Sequence, residues 1–122
     1  MPETTQLAAF ISNNFHSVWT FELLLFLKDN AATLWQNEGL VQALRASDGI
    51  VSTSVESLSA GGLILADKNG AKYSPATADL RLLVEQAQQL YARKPDAVRR
   101  LIISSRASGL SAFADSFRFR RD

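Results

Sequence analysis

Few side chains in this sequence have the types and spacing that catalysis or cofactor binding requires. His16 is the single histidine and cysteine is absent, so a Ser/His/Asp triad would depend on His16, and His- or Cys-based metal clusters are ruled out. Gly61-Gly62 lacks the G-x-x-x-x-G-K-[ST] or G-x-G-x-x-G context of a phosphate-binding loop. The carboxylates are scattered, and no pair is typical of acid/base catalysis. We therefore expect no enzymatic activity, no metal and no cofactor.

The charged residues are distributed unevenly, although the net charge is only +1. Residues 1–60 carry two basic and six acidic side chains, whereas residues 61–122 carry eleven basic and six acidic ones. Aromatic and basic residues alternate near the end of the sequence, at Phe113, Phe117, Arg118, Phe119 and Arg120. Both types are enriched in binding hot spots. This tail is expected either to bind an acidic partner, including the acidic half of a second copy, or to pack on the protein's own helices.

Length and hydropathy predict one globular domain over residues 1–122. The sequence is 47% apolar and long enough to bury a core without disulfides. Its longest apolar run, residues 23–27, is far shorter than the ~20 residues of a membrane span. The N-terminal residues do not have the pattern of a signal peptide. We expect a cytoplasmic protein that does not associate with a membrane.

Apolar periodicity predicts four helices in the first half of the chain. The first begins near Thr4 or Thr5, and the second follows an N-cap at Ser17. The second helix is apolar on nearly every side, which is typical of a buried helix, so we expect it in the middle of the domain or with one side against a partner chain. Trp19 and Trp35 are both expected to pack in the core. A short extended segment at residues 33–35 should pair as a single strand. Asn37 and Ser47 are predicted to cap the third and fourth helices.

The second half of the chain is predicted to contain a two-stranded ribbon and further helices. Asn69-Gly70 between short runs of strand-forming residues is a strong hairpin signal. Thr77 is a predicted cap for a long amphipathic helix, and Pro95 a predicted first residue of the next one. The fold class is therefore mainly α, with a small β-ribbon.

The order helix, short strand, helix, tight turn, helix and hairpin resembles the winged helix-turn-helix family over residues 17–75. Leu44 resembles the leucine that closes the supporting helix, and Ser47 the cap of the recognition helix. Gly62-Leu63-Ile64 resembles the start of the wing. The apolar positions that seat the recognition helix on the core are matched by Val51, Val55 and Leu58. The later helices are similar to the dimerisation helices of MarR-like bacterial regulators.

This resemblance implies a bacterial transcription regulator that binds duplex DNA as a homodimer. It implies a winged-helix core at residues 17–75, flanked by an N-terminal helix, two or three C-terminal helices over residues 76–106, and a tail at residues 107–122. It also implies DNA contacts from the recognition helix, the turn before it and the wing. The matching residues here are Arg45, Ser47, Ser52, Thr53, Ser57, Lys68 and Lys72.

The exposed face of the predicted recognition helix departs from the family pattern. It carries Asp48 and Glu56 but no basic residue, whereas affinity for DNA depends largely on neutralising phosphates. A second hypothesis is therefore a protein-interaction module that keeps the winged fold. Asp48 and Glu56 would then bind a basic partner, or the Phe/Arg tail an acidic one. A small-ligand sensor is implied by family analogy alone.

Overall fold

The structure is a computed structural model that describes residues 2–103, with side chains described for residues 6–103. Its order is helix, helix, helix, helix, hairpin, helix, helix. The helices are α1 Pro2–Asn14, α2 Val18–Asp29, α3 Asn37–Leu44, α4 Asp48–Ala60, α5 Ala78–Arg93 and α6, which is helical over residues 95–103. The strands β1 Ile64–Asp67 and β2 Gly70–Tyr73 pair in antiparallel fashion. The prediction of a mainly helical fold with a small ribbon is confirmed.

Three helices have a hydroxyl residue as their N-cap, at the positions that the sequence predicts. The Oγ of Ser17 accepts from the Thr20 N–H at 3.2 Å, and the Oγ of Ser47 accepts from the Ile50 N–H at 3.1 Å. Thr77 caps α5 in the same way. These bonds satisfy backbone donors that have no partner within the first helical turn.

Two predicted helix starts are wrong. α1 begins at Pro2, before Thr4, because proline's fixed φ and missing N–H are tolerated in the first turn of a helix. Asn37 does not cap α3, since the N-cap is Gln36 and makes no side-chain bond there. The Asn37 amide instead donates to the Ser52 hydroxyl of α4 at 3.0 Å.

The hairpin is confirmed, but Gly70 is the first residue of β2, whereas the sequence predicts it in the loop. The register pairs Asp67 with Gly70, so the connecting residues are Lys68 and Asn69. Gly70 has φ +138°, and a Cβ there would lie 2.7 Å from the carbonyl oxygen of Trp35. Trp35 and Ala71 exchange backbone hydrogen bonds of 2.7 and 2.9 Å. Glycine therefore lets the predicted single-strand segment pair beside β2.

Buried apolar residues from α1, α2, α3, α4, the hairpin, α5 and α6 form one cluster. Phe21 packs edge to face on both Phe15 and Tyr91, with ring centroids 4.9 and 5.1 Å apart, respectively. Val51 and Leu58 attach α4 to this cluster from its inner face. The cluster holds the α3–α4 pair and the ribbon in fixed relation to each other.

The two tryptophans have different environments, and the prediction for one of them is wrong. Trp35 packs edge to face on Phe26 at 4.7 Å, as expected for a core residue. Trp19 is 42% exposed, because the elements that pack against α2 do not cover all of its apolar residues. α2 is therefore buried over most of its surface, and Trp19 is its exposed large apolar side chain.

Candidate nucleic-acid interface

α3 and α4 are joined by a three-residue turn of Arg45, Ala46 and Ser47. Arg45 has the left-handed backbone conformation, with φ 55° and ψ 40°, and its N–H donates to the Val41 carbonyl at the end of α3. This conformation is uncommon for a residue with a side chain and reverses the chain within a short distance. Ser47 then begins α4. α3, this short turn and α4 therefore follow one another directly, and the two helices pack together.

The outer face of α4 carries the predicted contact residues. Thr53 and Glu56 are exposed, and Ser57 is half-buried. None of the three side chains forms a hydrogen bond or ion pair with another described residue. Ser54, in contrast, is buried, and its hydroxyl lies 2.9 Å from that of Thr20. The hydroxyls of Thr53 and Ser57 are therefore accessible and without a partner, whereas the buried Ser54 hydroxyl has one.

A groove of about 680 Å³ runs between the start of α2 and the outer face of α4. Both N-caps, Ser17 and Ser47, line it, so the positive ends of two helix dipoles open on the same space. Its remaining lining residues are His16, Thr20, Gly49, Ile50, Thr53, Ser54 and Ser57. The groove can offer several hydroxyl hydrogen bonds to an anionic or polar ligand.

A second cleft lies between the start of α3 and the hairpin, and its lining includes Asn37, Lys68 and Glu38. Asn37 connects this cleft to α4 through its bond to Ser52. The structure thus brings Ser47, Thr53 and Ser57 into one groove and Lys68 into the neighbouring cleft. Arg45 and Lys72 are exposed, and neither lines these two spaces.

Three cations near this surface are available to a ligand. Arg45, Lys68 and Lys72 are exposed, and none forms an ion pair with another residue in the described part of the chain. Lys72 lies opposite Leu65 across the hairpin. Exposed cations at a turn and on a ribbon can neutralise phosphates without losing an internal partner.

Acidic residues flank the same surface. Asp48 and Glu56 lie exposed on α4, and Glu38 and Asp67 line the cleft beside Lys68. The surface as a whole is therefore mixed in charge, with the cations at its margins and two carboxylates on the central helix. The structure places both acids where the sequence predicts them.

Sequence reasoning missed two residues of this surface. Asn37 was predicted only as a helix cap, yet it holds Ser52 in place. His16 lines the groove from the α1–α2 corner, which no local pattern indicates because the two helices meet α4 only through tertiary packing. The predicted partner-binding residues Phe113, Phe117, Arg118, Phe119 and Arg120 lie outside the described residues.

The titratable side chains with shifted pKa values lie elsewhere, at the contacts of α5. Burial, together with the hydrogen bond to Glu22, raises the pKa of Tyr91. Burial also raises the pKa of Tyr73, against the opposing effect of Arg81.

Within residues 2–103, no cluster of His, Asp and Glu is placed to hold a metal, and no helix has the length and apolar character needed to cross a membrane. No protein-family model matches the chain, and no curated protein and no solved structure matches it.

Proposed function

We propose that this protein is a winged-helix transcription regulator that binds duplex DNA as a homodimer. The observation that carries the proposal is the α3–turn–α4 unit, packed against a ribbon, with the polar outer face of α4 uncovered. A helix presented in this way fits the major groove of DNA, and a ribbon beside it reaches the neighbouring backbone. In this proposal, the hairpin of β1 and β2 is the wing.

In this proposal, the side chains of α4, the hairpin and the turn make different contacts with DNA. Thr53 and Ser57 would donate to base edges or phosphates from α4, and Asn37 would hold Ser52 in a fixed orientation beside them. Lys68 and Lys72 would neutralise phosphates from the wing, and Arg45 from the turn. Ser47 would contribute its O–H, because its oxygen already accepts from Ile50.

The homodimer would use α1 and α6, the first and last helices, which lie outside the α3–α4 unit. A two-fold dimer requires a roughly palindromic operator with half-sites about one helical turn, or ~34 Å, apart. Such a regulator would work in the cytoplasm of a bacterium, in keeping with the family resemblance of residues 17–75.

The test is fluorescence anisotropy with duplex DNA from upstream of the coding sequence and a scrambled duplex, across a salt series. Lys68→Glu with Lys72→Glu should weaken binding to both duplexes and lower the slope of log K against log salt by about two. Arg93→Glu with Lys94→Glu makes the same charge change at the exposed end of α5, and should change binding much less. Unchanged binding by the wing variant would contradict the proposed contacts.

The carboxylates on α4 favour a second candidate, a protein-docking surface for a basic partner. Glu56→Lys separates the two functions because it leaves the fold intact at an exposed position. If α4 lies against DNA, the variant should bind both duplexes more tightly, since a repulsive charge becomes an attractive one. If neither the parent chain nor the variant binds duplex DNA at low salt, the docking function is favoured.

A further inference from the structure

The groove on α4 continues along most of the helix. A neighbouring groove shares His16, Thr53 and Ser57 with the first, and extends past Glu56 to Gly61. From Ile50 to Gly61, at about 1.5 Å per residue, the combined length is roughly 16 Å. We call this continuous space the α4 groove. It can hold an extended or helical peptide segment.

The chemistry of the α4 groove suits an occupant that is both apolar and basic. Ile50, 37% exposed, and Ala60 offer apolar surface along it. Glu56 lines it, and Asp48 lies at the start of the same helix. α4 contains no lysine or arginine to balance these two carboxylates. A basic aromatic segment would bury apolar area and pair with the acids at once.

Residues 104–122 of this chain have that composition. They contain Leu110, Phe113, Phe117 and Phe119 as apolar groups. They also contain four arginines against two aspartates, so the segment has a net charge of +2. The segment therefore matches the groove in hydropathy, and its positive charge matches Glu56 in the part of the groove that the N-caps Ser17 and Ser47 do not line.

The end of α6 lies close to the α4 groove. The Leu101 carbonyl accepts from the Ser12 hydroxyl of α1 at 3.5 Å. The next two residues of α1, Asn13 and Asn14, line the groove. Phe113 follows residue 103 by ten residues, which span up to about 33 Å when extended. The segment can therefore reach every part of the groove without leaving its own chain.

We propose that residues 104–122 dock intramolecularly in the α4 groove, with Phe113 and Phe117 on its apolar part and the arginines near Asp48 and Glu56. The docked segment covers Thr53 and Ser57, so it competes with any ligand of that face. The docking is independent of DNA binding. Only its consequence, an autoinhibited regulator, rests on the proposed function.

Paramagnetic relaxation tests the docking in the full chain. The natural sequence has no cysteine, so Ser116→Cys provides a single site for a nitroxide label. The backbone amide signals of residues 50–61 and 13–16 should broaden. Those of residues 27–30 and 86–90 should not, because they lie at the opposite end of α2 from Ser17. Absence of broadening at residues 50–61 would overturn the proposal.

Matched variants show whether the broadening comes from the proposed contacts. Glu56→Lys should lower the ratio of docked to free segment about two- to fivefold, as expected for loss of an exposed ion pair. Glu85→Lys makes the same change at an exposed position on α5 and should have no effect. Phe113→Ala with Phe117→Ala should abolish the broadening. Equal effects of the two lysine variants would contradict docking on α4.

A mixed sample distinguishes a chain's own segment from that of a second copy. Isotope-labelled chain without nitroxide is mixed with unlabelled chain that carries it. If the signals broaden as strongly in this mixture as in the sample whose isotope-labelled chain itself carries the nitroxide, the segment docks on a second copy. That result would overturn intramolecular docking. These spectra contain no DNA, so failure of docking and failure of DNA binding are separate results. If both proposals hold, the Phe113→Ala, Phe117→Ala variant binds DNA more tightly than the parent chain.

Discussion

At the α2–α5 interface, polar side chains bond to one another, whereas Thr53, Glu56 and Ser57 of α4 form no side-chain hydrogen bond or ion pair with another described residue. Tyr91 donates to the Glu22 carboxylate at 2.5 Å, and Lys28 donates to Gln88 at 2.8 Å. On α4, the side chains of Thr53 and Ser57 have no such partner within the described residues. The bonded residues Lys28, Gln88 and Tyr91 are half-buried, whereas Thr53 is exposed and Ser57 is half-buried. These hydrogen-bonding groups without a partner are the observation on which the proposed binding role of α4 depends.

The packing beneath the two regions explains this difference. Phe21 of α2 stacks on Tyr91 of α5, which fixes the two helices at a distance where their polar rims meet. α4 presents its buried residues, Val51, Ser54 and Leu58, to the core, and open grooves border its outer face. Polar groups that bond internally stabilise the fold, whereas those without partners are free to bind a ligand.

The largest effect is expected for Phe21→Ala, which removes the apolar contact under the α2–α5 interface. Phe21 is fully buried between Phe15 and Tyr91. We expect the free energy of unfolding to fall by about 3–5 kcal/mol, from lost transfer energy and a cavity. Urea denaturation followed by circular dichroism measures it. A loss below about 1 kcal/mol would mean that this interface does not hold the helices together.

A smaller effect is expected for Tyr91→Phe, which removes the hydroxyl that bonds to Glu22. We expect a loss of about 1–2 kcal/mol in the free energy of unfolding, because the acceptor is a carboxylate. Tyr73→Phe is the matched control, since the buried Tyr73 hydroxyl has no hydrogen-bond partner among the described residues. That variant should be neutral or slightly more stable. Equal losses in the two variants would remove the distinction between bonded and unbonded hydroxyls.

The two sides of α4 can be compared directly at adjacent residues. Ser54→Ala leaves the buried Thr20 hydroxyl without its 2.9 Å partner from α4, and should cost about 1 kcal/mol. Thr53→Ala, one residue away on the outer face, should change the free energy of unfolding by less than about 0.5 kcal/mol. In DNA binding, Thr53→Ala should have the larger effect of the two variants, because it should change the sequence preference. Anisotropy and urea denaturation on both variants test the pair.

The smallest effect is expected from alkaline pH. Burial and the Glu22 bond raise the pKa of Tyr91 above its ordinary value of 10.0. Between that value and the raised pKa, the folded chain holds more protons than the unfolded chain, so stability decreases as pH rises. Urea midpoints from about pH 9 to about pH 11 should fall, and less so in Tyr91→Phe. Parallel decreases in the two proteins would contradict a contribution from Tyr91.

Local signals account for most of the correct predictions from the sequence. Ser17, Ser47 and Thr77 cap their helices because each bond joins residues three apart in the chain. Trp19 was misplaced because the apolar pattern of α2 does not tell which side its neighbours cover. The groove residue His16 was missed for the same reason, since it meets Thr53 and Ser57 only through tertiary packing.

The sequence by itself determined the helices, their caps, the hairpin and the polar composition of α4, because each depends on residues close together in the chain. Only the tertiary structure decided that Ser54 faces Thr20 while Thr53 stays open, and that Asn37 reaches Ser52. It also decided that Gly70 makes room for Trp35. These outcomes depend on how helices and strands far apart in sequence pack together, and burial of their apolar faces sets that arrangement.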